Sequence, residues 1–484
     1  MAAAFVVACG VGDVGDTGPY VPPGSEGGDA TVDGPSTNDG PSNTDGPIGE
    51  GGDGGGDAVA DAPIDSPAGP APNILLVISD DTGLDASVCH NVGPDPGRAP
   101  RIAALCASGV VFDNVWAAPV CSPSRAAILT GRHGFRNTVG TVGQPLPLTE
   151  RALPKALVEG RPNTYSVGAF GKWHLSTAAN GGANHPNTVG FTRYSGNLQA
   201  QVNSYFNWAR TVDGVTANTT VYATTALVND AQTWLGTVAG PWFAWLAFNA
   251  PHAPHHVPPS NLTTYEGLSM PPGPNPIDHF HASMEALDTE LGRFLDGLSP
   301  QVLANTWIIW VGDNGTPEEV TQPPVVASKG SVYQGGVAVP MMISGPGVVG
   351  GGRRVDALVH VLDIFKTVLE LGGVDMNKAL PPGSKTVDSV SLVPYLTNPA
   401  QPPLRSTVMT EIFGGAFNGE KQGKTIRDSQ YKLIRFQDNT QELYDLSTDP
   451  WEGTELFAQG PLDATAEAHR ASLQAALDAL LASP

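Results

Sequence analysis

The chain has 484 residues, 40% of them hydrophobic, and carries 25 Lys and Arg against 47 Asp and Glu, a formal net charge of -22. That length suits one large domain with a satellite, and that charge argues against a nucleic-acid partner, which needs basic surface to neutralise phosphates. No apolar run is long enough to span a bilayer as a helix, and four Cys are too few for a disulfide-built scaffold.

Residues 1–9 read MAAAFVVAC, a short apolar run followed by Gly10. This end resembles a bacterial lipoprotein cleavage box, although no basic segment precedes it. The resemblance implies a lipid anchor at Cys9 and an exported protein, periplasmic or on the cell surface. Residues 10–70 hold 17 Gly, 9 Pro, 10 Asp and 2 Glu with no Lys or Arg, so -12 of the net charge lies there. A stretch this polar cannot bury enough apolar surface to offset its ordering entropy. It reads as a disordered, self-repelling linker, either a tether from a membrane or a tail without a role.

The folded part is expected to start at residue 71. Residues 73–79 are a continuous apolar run with β-branched residues, as in a strand buried on both faces, and Asp80-Asp81 follow. Similar runs are 165–170, followed by Gly171-Lys172-Trp173-His174; 242–248, followed by Asn249-Ala250-Pro251-His252; 306–311, followed by Gly312-Asp313-Asn314-Gly315; and 339–344. Helical spacing falls at 100–108, 124–129, 220–236 and 280–298. The alternation predicts an α/β fold with a large, mostly parallel central sheet flanked by helices, over 71–407. In such sheets ligands bind beyond the carboxyl ends of the strands, and four predicted strands end in polar, chemically capable residues. From 408 to 484 the texture changes. Residues 429–435 and 442–446 predict an antiparallel hairpin, and 462–481 an amphipathic helix, together a small C-terminal α+β subdomain.

Asp80, Asp81, Asp313 and Asn314 offer three carboxylates and an amide oxygen, an all-oxygen set that suits Ca²⁺ or Mg²⁺. Each pair alone also fits an ordinary polar turn. Cys121-Ser-Pro-Ser-Arg125-Ala-Ala-Ile-Leu-Thr130-Gly131 is more specific. It resembles the type I sulfatase signature C-x-P-S-R-x-x-x-x-T-G at every fixed position. The Gly171–His174 stretch, Pro251-His252-Ala253-Pro254, the Gly312–Gly315 stretch, Lys329-Gly330 and the 442–450 tail resemble that family's other motifs, in order.

The resemblance implies an arylsulfatase-like sulfuric ester hydrolase of the alkaline-phosphatase-like superfamily. In that family a maturation enzyme, the formylglycine-generating enzyme, converts the cysteine, here Cys121, to an aldehyde. Its hydrate is a geminal diol: one hydroxyl attacks sulfur and the other expels sulfate, restoring the aldehyde. By the same resemblance Asp80, Asp81, Asp313, Asn314 and the modified Cys121 hold the cation, with Ca²⁺ favoured and Mg²⁺ as an alternative. Arg125 stabilises the diol oxyanion, and Lys172 and Lys329 clamp sulfate oxygens. His174 is the base for the diol, and His252 the acid for the leaving oxygen. Two other readings stay open: a phosphonate or phosphate monoester hydrolase on the same scaffold, and a non-catalytic binder of sulfated glycans.

The substrate, a sulfated small molecule or a sulfated glycan, is not legible. Segments 116–120, 177–201 and 255–276 are candidate pocket walls, with Tyr194, Tyr205, Trp208 and Tyr265 available for stacking. His255 and His256 either line the pocket or sit on the surface. His133, Arg136 and His185 have no role that the sequence defines. Cys89 and Cys106 form either one disulfide or two buried free thiols.

Overall fold

The computed structural model describes residues 71–484 except 274, 416 and 484. The readings of 1–9 and 10–70, Cys9 included, lie outside the described residues.

Ten strands form one sheet: β1 (Asn73–Ser79), β2 (Val110–Trp116), β3 (Ser166–Gly171), β4 (Arg193–Gly196), β5 (Trp208–Val212), β6 (Val215–Thr219), β7 (Trp242–Ala247), β8 (Thr306–Gly312), β9 (Met341–Ser344) and β10 (Arg353–His360). Their order is β10-β2-β9-β8-β1-β7-β3-β4-β5-β6. β8, β1, β7, β3 and β4 are mutually parallel. β9 runs antiparallel to both its neighbours, β8 and β2, so β2 and β10 share the direction of β1. The α/β expectation holds, with the added detail that two strands are reversed: β9, which interrupts the parallel run, and β5, which pairs antiparallel with β4 and β6.

Every residue of β1, β7 and β8 is buried. Helices cover both faces and close two apolar layers. One sets Ile74, Leu76 and Ile78 against Ala126, Leu129 and Phe365, and the other sets Leu75 and Val77 against Leu287 and Leu291. Burial of this kind stabilises by roughly 25 cal/mol per Å² of apolar surface, and it leaves the strand ends as the only place for polar groups. The carboxyl ends of β1, β2, β3, β7 and β8 all open on one edge of the sheet.

Four further strands, β11 (Val408–Ile412), β12 (Gly423–Arg427), β13 (Tyr431–Phe436) and β14 (Gln441–Asp445), form a separate antiparallel sheet. The hairpin read from sequence is β13–β14, and helix Ala464–Ala482 covers this sheet through Leu473 and Leu477. Cys89 and Cys106 are joined by a disulfide, Cα–Cα 6.1 Å, which settles that alternative. Among the described residues no helix is long and apolar enough to cross a membrane.

Candidate active site

Most predicted site residues sit just beyond a strand end, while Arg125 lies within the helix after β2 and Lys329 farther along the connection after β8. Asp80 and Asp81 follow β1, Lys172 and His174 follow β3, His252 lies beyond β7, and Asp313 and Asn314 follow β8. Cys121 opens the helix Cys121–Thr130 that enters after β2, so the unpaired N–H groups of its first turn lie at the site. That helix stops at Gly131, whose φ of 64° supplies the left-handed cap. Gly171 is also obligatory: its φ is 97°, and an added Cβ would lie 1.9 Å from the Ala247 carbonyl oxygen. It is this close approach of β3 to β7 that turns Lys172 and His174 toward the centre.

The structure brings all ten predicted residues into one buried network. Arg125 donates from Nε and Nη2 to Asp313 Oδ2 at 2.9 and 2.7 Å, and from Nη1 to the Lys172 carbonyl at 2.7 Å. Its Nη2 is also 3.7 Å from Asp80 Oδ1. Lys172 Nζ donates to Asp80 Oδ2 at 2.5 Å, and Lys329 Nζ to Asp81 Oδ2 at 2.9 Å. Asn314 Nδ2 donates to Asp81 Oδ1 at 2.8 Å, and the Asp81 N–H to Asp313 Oδ1 at 3.1 Å. Cys121 Sγ lies 3.1 Å from His174 Nδ1, and Ser122 Oγ donates to the His174 carbonyl at 2.9 Å. His252 Nδ1 donates to the Ala253 carbonyl at 2.6 Å, which turns Nε2 toward Asp81 Oδ2 at 3.5 Å. Arg125 thus spends its donors on Asp313 and Lys172, and each lysine is paired with a carboxylate.

Two of the site residues hold left-handed backbone without being glycine, Asp81 (φ 67°) and His174 (φ 57°). Such conformations cost on the order of 1–3 kcal/mol and persist where the surroundings over-determine them. Here they aim a carboxylate and an imidazole inward.

The electrostatics follow from burial. Burial pushes the Asp80 carboxyl up to about 8, against the opposing pull of Lys172. Burial also raises Asp81, but His252, Lys329 and Lys172 outweigh it and hold Asp81 below the usual carboxylate range. The Cys121 thiol is raised by burial, with Lys172 and Lys329 opposing. His174 is driven well below its ordinary value by burial and then by Lys172 and Arg125. His252 falls to about 3 through burial, with Asp81 opposing. Both imidazoles are therefore neutral.

The donor set fits a hard divalent cation. Asp80 Oδ1 and Asn314 Oδ1 are buried acceptors without a hydrogen-bond partner, in contact with a site that already holds three carboxylates. A buried acceptor left unpaired costs about 1–3 kcal/mol, and a cation satisfies both at once. Ligand atoms of Asp80, Asp81 and His252 also lie within 4.8 Å of one another. With Asp80 ionised on cation binding, three carboxylates balance Arg125, Lys172 and Lys329, and a divalent cation would then leave the site at +2, ready for an anionic ligand.

The sequence missed several supports of this site. Asp85, buried, accepts from Thr316 Oγ1 at 2.6 Å and from the Gln322 N–H at 2.8 Å, which ties the loop after β1 to the loop after β8. Tyr205 donates from its hydroxyl to the His252 carbonyl at 2.8 Å. His185 is structural: it receives Trp173 Nε1 at 3.1 Å and reaches the Leu146 carbonyl at 2.8 Å. Tyr194, Tyr205 and Trp208 are buried core residues and offer no stacking face, whereas Tyr265 carries Arg98 over its ring. A cavity of about 670 Å³ sits at the opposite edge of the sheet, lined by Asn73, Trp242 and Asn305, and holds no comparable chemistry.

Comparison with known proteins points to one family and its fold. N-acetylgalactosamine-6-sulfatase of Homo sapiens is 27% identical over 372 residues, which cover 67% of this chain and 66% of that protein, just under two thirds of its length. A protein solved in complex with its substrate D-glucosamine-2-N,6-O-disulfate superposes with a TM-score of 0.68 at 19% identity, over 84% of this chain and 98% of that one. The phosphonate monoester hydrolase of Agrobacterium radiobacter superposes with a TM-score of 0.64 at 22% identity, over 84% and 95%. At such identities these two likenesses concern the fold alone. Residues 327–479 match the C-terminal domain described for N-sulphoglucosamine sulphohydrolase. Residues 72–374, well over half of the chain, match the sulfatase family model, and the chain belongs to the sulfatase family.

Proposed function

We propose that this protein hydrolyses a sulfate ester to an alcohol and inorganic sulfate, with Cys121 converted to formylglycine by a maturation enzyme. The observation that carries the reading is the buried network that joins Cys121 and His174 to three paired carboxylate–cation contacts, with two acceptors left over. Asp80, Asp81, Asp313, Asn314 and the converted Cys121 would hold a divalent cation, Ca²⁺ or Mg²⁺, which supplies Lewis acidity and charge neutralisation. Formylglycine supplies a hydrated aldehyde whose two hydroxyls serve attack and release.

The chain's own groups do the rest. Lys172 and Lys329 stand where sulfate oxygens arrive, and their charge gains value as negative charge builds on those oxygens. Neutral His174, whose Nδ1 lies 3.1 Å from Cys121 Sγ, takes the proton from the hydroxyl that expels sulfate. His252 gives the leaving oxygen its proton. The bound sulfate's negative charge favours the protonated imidazole that this step needs. Arg125 holds Asp313 and the Lys172 backbone in register.

Sulfated glycans are the favoured substrate class. The human relative acts on a sulfated sugar by its name, and the superposed disulfate complex holds another. Export is proposed as well, and the Cys89–Cys106 disulfide supports it, because disulfides persist in oxidising compartments. A lipid anchor at Cys9 remains part of this reading.

The test is sulfate release from 4-nitrophenyl sulfate and sulfated glycans, by wild type and Cys121→Ala made beside the formylglycine-generating enzyme. Release by wild type alone is expected. Equal release by Cys121→Ala would sink the mechanism, and faster turnover of a phosphonate monoester would move the activity to that class.

A further inference from the structure

Two histidines follow His252 closely, and the structure separates them. His256 is fully used. Its ring stacks on Tyr205 with centroids 3.9 Å apart, Nε2 meets the Tyr222 hydroxyl at 2.9 Å, and Nδ1 donates to the Pro254 carbonyl at 3.0 Å. It is a packing residue that supports the loop carrying His252.

His255 is different. Its side chain is 11% exposed, yet Nδ1 has no hydrogen-bond partner. The nearest charged group is Glu319 Oε1, 3.5 Å from Nε2, on a side chain that is 48% exposed. An imidazole nitrogen sheltered to this degree without a partner forfeits about 1–3 kcal/mol, so a buried nitrogen of this kind asks for a ligand. His281 has two unpartnered nitrogens, but its neighbours are Asp95, Gly97 and Tyr265, away from the network described above.

The position of His255 gives its ligand a location. It lies three residues after His252, which faces Asp81. Glu319 lies in the short helix Glu318–Val320, between Asn314 and Lys329 on the same connection. The His255–Glu319 contact therefore bridges the two segments that deliver His252 and Lys329. If His252 faces the leaving oxygen, His255 stands beside the alcohol part of the ester. This inference rests on the sulfatase reading and deepens it.

We propose that His255, oriented by Glu319, binds a neutral hydroxyl adjacent to the sulfate ester, so that the site selects hydroxyl-bearing alcohols such as sugars over plain aryl groups. A hydroxyl suits this pair because it can donate to Nδ1, the nitrogen left as an acceptor when Glu319 holds the ring proton on Nε2. A second sulfate does not suit it, since Glu319 would repel an anion there. His255 is thus a substrate-contacting residue, and Glu319 a positioning residue that acts through it.

The test compares two esters with similar nitrophenol leaving groups. 4-Nitrocatechol sulfate has a hydroxyl next to the ester oxygen, and 4-nitrophenyl sulfate has none. In matured protein, His255→Leu should lose about tenfold more kcat/KM on the nitrocatechol ester than on the nitrophenyl ester, the difference residing in KM. His255→Gln, which keeps a donor and an acceptor, should recover most of that difference. Glu319→Gln should narrow the preference in the same direction by a smaller factor. Equal losses on both esters for His255→Leu and His255→Gln would overturn the proposal and leave a structural role. Failure of wild type to release sulfate from both esters and from sulfated glycans would instead remove the sulfatase reading, and this inference with it.

Discussion

Arg125→Met is the most informative single change to stability. The guanidinium is fully buried and places two donors on Asp313 Oδ2 at 2.9 and 2.7 Å and a third on the Lys172 carbonyl at 2.7 Å. Asp313 is equally buried and keeps only the Asp81 N–H among its recorded donors once Arg125 is gone. Exposed ion pairs contribute about 0–1 kcal/mol. Breaking a buried one costs about 3–5 kcal/mol, because the remaining charge stays desolvated and uncompensated. We expect a loss in that range in urea unfolding, followed by fluorescence of the buried Trp116, Trp173, Trp245 and Trp310. A chelator keeps cation binding out of the comparison. Arg125→Met combined with Asp313→Asn should cost less than the sum of the two single changes, with a coupling of about 2 kcal/mol. A single-variant loss below about 1 kcal/mol, or strict additivity, would refute the account of this pair as the site's internal brace.

Cation binding should stabilise the fold. At about 100 times Kd the gain is about 2.7 kcal/mol, seen as a rise in Tm on adding Ca²⁺ to chelator-treated protein, and Asp80→Asn should abolish most of it. An identical rise in wild type and Asp80→Asn would place the ion elsewhere. Acid should destabilise the fold in part through His133, which is buried and held down to about 4 by desolvation, with Asp388 opposing. Its folded value lies below its ordinary one, so its contribution is complete above about 6.5 and is lost as pH falls toward 4, by up to about 1.4 kcal/mol per pH unit. His133→Phe should flatten the stability–pH slope by about one proton across that window, and an unchanged slope would show that His133 is not protonated on unfolding.

The centre of the sheet was legible because strands buried on both faces must be apolar throughout. β1, β7 and β8 therefore end abruptly in Asp80, Asn249 and Asp313, and the polar residues mark the site edge. Strands off the centre gave weaker signals. β2 is interrupted by Asp113 and Asn114, which are only half-buried, and β10 is a charged edge strand that reads Arg-Arg-Val-Asp at its start. The β5–β6 hairpin did carry a usable signal, Asp213-Gly214 with both φ angles positive, but its outer strand is exposed and has no apolar alternation. β11 and β12 were missed although Gly414-Gly415 and Asn418-Gly419 lie between them, because the connection 413–422 is far longer than the tight loop that marks a hairpin.

The site residues were readable as types at strand ends, but their pairing was not. Nothing in the spacing assigns Lys172 to Asp80, Lys329 to Asp81 or Arg125 to Asp313, because each pair joins segments brought together only by the sheet order. His255 and His256 are adjacent and chemically alike. Only the packing of Tyr205 and Tyr222 shows that one is structural and the other unpartnered at Nδ1.

The most direct test of the central claim is the mass of the tryptic peptide 102–125, from protein made beside a formylglycine-generating enzyme and then reduced and alkylated. Cys106 lies in the same peptide and, once freed from Cys89, serves as the unconverted reference. The account predicts one alkylated cysteine, at Cys106, and an aldehyde at Cys121 that reacts with a hydrazide. Two alkylated cysteines under maturing conditions would leave Cys121 a thiol and contradict formylglycine catalysis at this site.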